Sequence, residues 1–470
     1  MAGEPLHNLT IAEAGAAMRN GSLTSAALTE HALDRIARLN PEINAFVTVT
    51  EARARVDACA ADSDFARGVD RGPLQGIPYG LKDIYDTAGI RTACHSRLRI
   101  NHVPDRDSAV AEKFASQGAV LLGKLTTNEF ALGNPDPEAP FPPALNPWNT
   151  SHSPGGSSSG SGAAVAAGLV RVAMGSDTGA SIRSPASLCG VIGLKPTFGL
   201  VSRRGVFPLS HSLDHCGPLT KSVEDAAIVM EAIAGHDYRD PASANVSTPQ
   251  FRALMNGGVK GLRIGVPRHF YRCAKGLSPE VETALDASLQ KLASLGASIK
   301  DITLPDYAIM AACGRVIMVT EAFSVHEKDF REQPRAFGFS TYMRMIMGAF
   351  TTGADIVQAY RLRRELTAEV NRQLAACDAI ITATALGTAP EMNQPGDWSM
   401  PSDSPMQCMP FNVTGHPAMA VPTGLSRDGL PMALQIVAKH FDESMVLRIG
   451  AALEKDNEVL ARWPDMAAVE

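Results

Sequence analysis

Cysteine is scarce in this chain and never clustered: there are eight in 470 residues, at positions 59, 94, 189, 216, 273, 313, 377 and 408, with no Cys-x-x-Cys pair. That spacing excludes a zinc-finger ligand set and a disulfide scaffold. Basic residues are in deficit, 43 Lys and Arg against 49 Asp and Glu, for a formal net charge of −6. No dense Lys/Arg run occurs, so no nucleic-acid partner is expected. The opening "MAGEPLHNLTIAEAG" lacks a basic segment followed by an apolar one, and no secretory signal is read there. Long hydrophobic runs are missing too. The nearest, "AAVAAGLVRVAMG", is interrupted by Gly168 and Arg171, so no membrane span is expected. These absences leave a soluble, cytoplasmic protein as the expectation.

What is present is an ordinary globular composition, 45% hydrophobic and 20% charged, on a chain long enough for a large core. Residues 1–65 read as N-terminal helices. Thr10 with Glu13 fits a capping box ahead of "IAEAGAAMRNG", and "TSAALTEHALDRIARLN" has helical apolar spacing. Beyond residue 70, short apolar strands alternate with helices. Strands are expected at "GIPYGLKD", "GAVLLGK", "LVRVAMG", "LRIGVP", "ASIKDITLP", "DAIITATA" and "MALQIVAK". Helices are expected at 108–117, 222–234, 279–294, 356–376 and 442–454, with Ser278-Pro279 as a strong helix start. Such alternation implies an α/β fold: a single domain over residues 1–470, with a mixed, twisted central sheet covered by helices on both faces. Residues 300–355, with "YMRMIMGAF", are rich in Met and Phe. They read as core helices, or as a helical cover over an apolar substrate pocket.

The stretch "SPGGSSSGSG" (153–162) invites several readings. A flexible linker would lead into polar sequence, whereas Ala-rich "AAVAAG" follows at once. "GSSSG" matches G-x-S-x-G centred on Ser158, but the preceding "NPWNTSHSP" is loop-like, not the strand a nucleophile elbow needs. A phosphate loop would add G-K-[ST]; "GAVLLGKL" (118–125) comes near, with Leu125 in place of the hydroxyl. A second Ser/Gly segment, "GSDTGASIRSPA" (175–186), sets Gly179 and Ala180 before Ser181. Small side chains there let backbone N–H groups approach a ligand closely, as an oxyanion hole requires. Upstream, Lys82 stands inside the apolar "GIPYGLKDIYDTAGI". Desolvation would lower its pKa and make it a base.

Together the three segments resemble the amidase signature family. Its Ser–cis-Ser–Lys triad maps onto Lys82, Ser157 and Ser181, separated by 75 and 24 residues. Similarity continues through "VLLGKLTTNEFALG", "LNPWN", "GVIGLKPTFGLVSRRGV", "SLDHCGPLTKSVEDAA" and "PFNVTGHPAMAVPTG", and is weakest from about 240 to 400. The resemblance implies an acyl-enzyme on Ser181, proton relay by Ser157 after a cis Gly156–Ser157 bond, and Lys82 as the base. It further implies an oxyanion hole from the backbone N–H groups of Thr178, Gly179, Ala180 and Ser181, with Asp177 and Arg183 bracing that loop. Substrate contacts are expected at Leu132, Gly133, Asn134 and Ser158. No metal and no cofactor is implied.

Ala180 stands where the family usually has glycine, His95 likewise, and His152 stands where a basic residue is common; the two histidines read as pocket-lining or supporting positions. His211 and His215 have a spacing that would suit a metal, but no third ligand accompanies them. Ser288 and Lys291 match S-x-x-K without the partner motifs of penicillin-binding proteins, a chance match on an amphipathic helix. The function implied is a serine amidohydrolase cleaving C–N bonds. The apolar character of 131–149 and of the Met/Phe-rich region favours aryl or alkyl amides, esters or carbamates, with urethanase or esterase side activity. The alternatives are hydrolysis of urea-derived amides such as allophanate or biuret-like compounds, an amidotransferase subunit, or a catalytically silent binding subunit. The partners expected are a small-molecule amide, ester or carbamate substrate and a second copy in a homodimer, with partner subunits under the amidotransferase alternative.

Overall fold

In the computed structural model, which describes residues 5–136, 139–392 and 406–466, short apolar segments pair into one sheet. Among the described residues its eleven strands are β1 (Phe46–Val49), β2 (Pro78–Lys82), β3 (Val120–Leu125), β4 (Val172–Asp177), β5 (Ile192–Lys195), β6 (His215–Thr220), β7 (Arg263–Val266), β8 (Ser298–Asp301), β9 (Ala379–Ala383), β10 (Ala418–Leu425) and β11 (Pro431–Val437). Their spatial order is β1-β3-β2-β4-β6-β5-β10-β11-β9-β7-β8. The pairs β2–β3, β2–β4, β7–β8 and β7–β9 are parallel and the others antiparallel, so the sheet is mixed.

All seven expected strands form. β1, β5, β6 and β10 were not expected, and β6 shows why: "HCGPLT" carries Gly217 and Pro218, which argue against a central strand. β5 meets β6 only through Ile192↔Thr220 and Gly193↔Leu219, so the ladder on that side stops before Pro218, where a residue without an N–H is tolerated.

Alternation along the strands divides the core. On one face Tyr79, Leu81, Val172 and Met174 pack with helices Ala109–Ser116, Val223–Ile233, Pro279–Ser294 and Glu443–Glu454. On the other, Val120, Leu122 and Ala173 pack with Ser25–Ile43, Ser159–Ala166 and Arg183–Cys189. Further along that second face, Ile380, Ala418 and Val437 pack with Tyr307–Glu332 and Gly353–Ala376. Helices therefore cover both faces, in a single α/β domain. The Thr10–Glu13 capping box forms, and Ser278 caps Pro279–Ser294.

Helix Tyr307–Glu332 corrects one reading: by length and composition it would suffice to cross a membrane. Here its buried side, including Met310, Cys313 and Ile317, packs with Leu366 and Val370 of Gly353–Ala376. Residues 137 and 138 of the 131–149 segment lie outside the described residues.

Candidate active site

The parallel strands β2, β3 and β4 end side by side at Lys82, Leu125 and Asp177, and ligand sites in open α/β sheets lie beyond such carboxyl ends. There the Lys82 ammonium donates to Ser157 Oγ at 2.7 Å and to Ser176 Oγ at 2.9 Å. Burial lowers the Lys82 pKa to about 7, against an opposing pull from Asp214 and Asp177. A lysine poised near neutrality can give and take a proton at working pH.

The Ser/Gly stretch is shaped for this position. The Gly156–Ser157 peptide is cis, the arrangement the resemblance implies, and the Ser157 carbonyl accepts the Asn128 N–H at 3.2 Å. Gly155 has φ +79°, and a Cβ there would lie 2.9 Å from Pro185 N. A Cβ on Gly160 would lie 2.3 Å from the Ala45 carbonyl, so only glycine lets helix Ser159–Ala166 seat against that backbone. The Ser158 N–H donates to the Ser181 carbonyl at 3.2 Å, drawing the second Ser/Gly segment beside the first. The structure thus joins Lys82 and Ser157 directly and brings Ser181 to them through a backbone bond.

The segment Thr178–Ser181 leaves the end of β4 and is held on two sides by buried carboxylates. Asp177 pairs with the fully buried Arg183, Oδ1 to Nη2 at 3.1 Å and Oδ2 to Nε at 3.1 Å, and also accepts the N–H groups of Ile182 and Arg183. Burial alone would raise its pKa, but the Arg183 guanidinium and Asn412 hold it well below the usual carboxylate range. Arg183 is completed by the Cys408 carbonyl, Gln435 Oε1 and Asn412 Oδ1 at 3.0, 2.9 and 2.6 Å. On the other side Asp214 accepts Thr178 Oγ1 at 2.6 Å and the N–H groups of Leu209 and Ser210 at 2.9 and 3.0 Å. Without a paired cation, burial wins there and its pKa is raised.

Sequence reading did not single out Ser176, Asp214, Asn412 or Gln435. Three of them sit in segments that carried the family resemblance, and only folding shows which of their polar residues point inward.

Other expected residues fall into place differently. Ser158, expected at the substrate, has its hydroxyl turned to β4, donating to the Ser176 carbonyl and accepting its N–H, both at 3.2 Å. Leu132, Gly133 and Asn134 form a loop tied to the helical segment: Asn134 N–H donates to Ser340 Oγ, and Arg344 Nη2 donates to Asn134 Oδ1, each at 3.0 Å. His95 is buried with φ +55° beside Phe141, and burial lowers its pKa to about 4. His152 makes a hydrogen bond with Ser151 on the surface. His215 is buried with Nδ1 toward the Leu213 carbonyl at 2.6 Å, while His211 is exposed. Among the described residues no three His, Cys, Asp or Glu side chains gather as a metal site. Ser288 bonds to the Ala284 carbonyl and Lys291 to the Leu453 carbonyl, so that pair does not meet.

Ser176 and Asp214 border a cavity of about 460 Å³ whose walls include Arg203, Phe207, Leu209 and Arg239. The Met/Phe-rich segment instead lines a groove of about 720 Å³ between helices Tyr307–Glu332 and Gly353–Ala376, with Ile309, Val316, Met347 and Phe350. Of the apolar segments expected around the substrate, 131–149 contributes Ala131 to the first cavity, while Met347 and Phe350 line the second. The space beside Lys82's partner Ser176 mixes apolar walls with guanidinium groups.

These features define a serine–lysine site at the carboxyl ends of a mixed α/β sheet. The amidase family model matches residues 27–447, and the chain belongs to that family. It is 38% identical over 484 residues to a glutamyl-tRNA(Gln) amidotransferase subunit from Synechococcus sp. (strain RCC307), covering 96% of this chain and 98% of that protein. Among solved structures it is similar to a vestigial protein complex tied to the origins of an s-triazine catabolic enzyme. That match has TM-score 0.89 and 35% identity, covering 95% of this chain and 98% of that one. It is also similar to the peptide amidase from Stenotrophomonas maltophilia, with TM-score 0.84 and 31% identity, covering 97% and 98%.

Proposed function

We propose that this protein cleaves the C–N bond of a small primary amide through an acyl-enzyme on Ser181. The observation that carries the reading is the 2.7 Å contact between a fully buried lysine and the Ser157 hydroxyl. Neutral Lys82 takes the Ser157 proton as Ser157 takes that of Ser181, and Ser181 Oγ bonds to the amide carbon. The backbone N–H groups of residues 178–181 receive the oxyanion; one such donor contributes about 3 kcal/mol to lowering the barrier. When the C–N bond breaks, the proton returns from Lys82 through Ser157 to the nitrogen, which leaves as ammonia. Water adds to the acyl-enzyme, gives a proton to the same relay, and Ser181 regains its own as the acid departs.

A second reading makes the chain part of an amidotransferase, in which the released nitrogen passes to an acceptor. Full-length similarity to a protein of that kind favours it over the aryl-amide, ester and carbamate readings. Both readings share ammonia as the immediate product, and one experiment tests that step. Purified protein is incubated with primary amides, anilides and carbamates while ammonia, aniline and alcohol release are followed. Mass spectrometry then locates any fluorophosphonate adduct. Faster ammonia release and an adduct on Ser181 support the proposal; an unlabelled Ser181 overturns it.

A further inference from the structure

His215 has no part in the proton relay, yet it opens β6 directly opposite Asp177, the last residue of β4. Its ring is buried, with Nδ1 2.6 Å from the Leu213 carbonyl and 3.1 Å from the Asp177 carbonyl. Both neighbours are acceptors, so Nδ1 carries the ring proton and shares it between them. Nε2 is buried without a hydrogen-bond partner. Burial, with Lys195 nearby, holds the ring's pKa well below the usual range and keeps it neutral. A hydrocarbon side chain would fill the same space without leaving a nitrogen unpaired. What it could not supply is the Nδ1 proton.

The Asp177 carbonyl belongs to the peptide that carries the Thr178 N–H. It receives Asn412 Nδ2 at 3.0 Å as well as His215 Nδ1, so two donors fix its direction. Among the described residues only Gly156–Ser157 is cis, and in a planar trans peptide the N–H points opposite to the C=O. Holding the carbonyl therefore turns the Thr178 N–H away from His215 and Asn412. Among the described residues the N–H groups of Thr178, Gly179, Ala180 and Ser181 have no acceptor, whereas the next two are taken by the Asp177 carboxylate. Asp214, the neighbour of His215, accepts the Thr178 hydroxyl. Adjacent residues thus clamp Thr178 at its side chain and at its peptide.

We propose that His215 is a positioning residue for the oxyanion hole: through the Asp177 carbonyl, its Nδ1–H sets the direction in which the Thr178 N–H meets the developing oxyanion. The assignment rests on the reading of Ser181 as nucleophile, with the N–H groups of residues 178–181 as oxyanion donors. It gives one member of the His211–His215 pair a use that needs no metal.

The test pairs a substrate with its tetrahedral mimic: butyramide, scored by ammonia release, and propylboronic acid, scored by its protection of Ser181 from fluorophosphonate labelling. His215→Leu removes the Nδ1 proton but leaves Asn412 on the carbonyl, so kcat should fall about 30-fold, less than for loss of a whole oxyanion donor. Boronate affinity should fall by a similar factor while KM stays within about twofold, as expected for an interaction made only in the transition state. His215→Asn, whose Nδ2 reaches the place of Nδ1, should recover most of both losses. Unchanged kcat and boronate affinity in His215→Leu, a rise in KM alone, or an Asn variant no better than Leu overturns the positioning role. A second measurement does not depend on the folding of the Leu variant. Wild-type protein carrying ¹⁵N-labelled histidine, with the His215→Asn spectrum to identify the ring, should show the neutral Nδ1–H tautomer. An Nε2–H tautomer or a charged ring overturns the assignment by itself. Failure of Ser181 to label, with no ammonia from butyramide, overturns the acyl-enzyme reading and this assignment with it.

Discussion

The strand-end site and the helical segment 307–376 use their side chains in opposite ways. At the strand ends Lys82, Asp177, Arg183 and Asp214 are buried, and each is bonded to partners from other parts of the chain. Along the helical segment Ile309, Met343, Met347, Phe350 and Val357 stay exposed, Phe350 at 75%. Chemistry that depends on hydrogen-bond lengths needs positions fixed by a sheet and by closed polar networks. The helical segment is held on its inner side by polar bonds as well, Ser340 and Arg344 to Asn134 and Glu321 to Ser210 and Ser212, whereas its outward apolar side chains are under no such constraint.

The largest expected effect tests the first half of that comparison. Ser181→Ala or Lys82→Ala should lower kcat/KM for a primary amide by about 10⁴-fold or more, because members of one relay fail together. Thermal midpoints should move little for Ser181→Ala, which locates the loss in chemistry. With neutral Lys82 as the proposed base, wild-type kcat/KM should rise as pH passes through about 7, the value to which burial lowers its pKa. A profile flat from pH 5 to 9 would remove Lys82 from the role.

Next in size is the buried ion pair. Asp177→Ala strands the Arg183 guanidinium in the core, and breaking such a pair typically costs about 3–5 kcal/mol. A urea midpoint would show this, and adding Arg183→Met should recover part of the loss by removing the uncompensated charge. If Asp177→Ala unfolds at the wild-type urea concentration, the site is not locked in the way the network implies.

Legibility in the sequence follows the same division. Lys82 stood out because a lysine in an apolar strand needs a reason, and the Ser/Gly spacing gave Ser157 and Ser181 through the resemblance. The alternation of strands and helices announced the α/β sheet and its two covered faces. Asp214, Asn412 and Gln435 did not stand out: they are ordinary polar residues in loops, a short helix and a strand, and reach the site from 36 to 252 positions away. β5, β6 and β10 were missed because interior strands paired on both sides need not alternate, and β6 even carries a proline. The apolar tone of 300–355 fitted core helices or a cover over a substrate pocket, because composition cannot say which way a helix face points. The Ser158 hydroxyl is spent on the β4 backbone, a direction that its place in the sequence does not reveal.

Asp214 offers a finer test of how the strand-end network acts. Asp214→Asn keeps the shape but turns an N–H₂ toward donors that now face a carboxylate oxygen, which loosens Thr178. A fall in kcat of about 10–100-fold is expected, less than loss of one oxyanion donor because the backbone N–H groups remain. The carboxylates that act on Lys82 are those of Asp214 and Asp177. Removing the Asp214 charge disfavours the ammonium form, so the Lys82 pKa falls and the acid limb of kcat/KM moves to lower pH. A limb that stays in place with an undiminished kcat would make Asp214 a bystander.

The smallest effect tests the other half. Met347→Ser with Phe350→Ser removes exposed apolar surface from the groove between the two long helices. Surface substitutions of this kind move stability by about 0.5 kcal/mol or less, and kcat/KM for a small amide should stay within twofold of wild type. Binding of an apolar dye should drop, since the exposed patch that attracts it is gone. A tenfold loss of activity would mean that the groove communicates with the strand-end site after all. The division between a fixed chemical half and a free outer face would then have to give way to a site that extends through the helices.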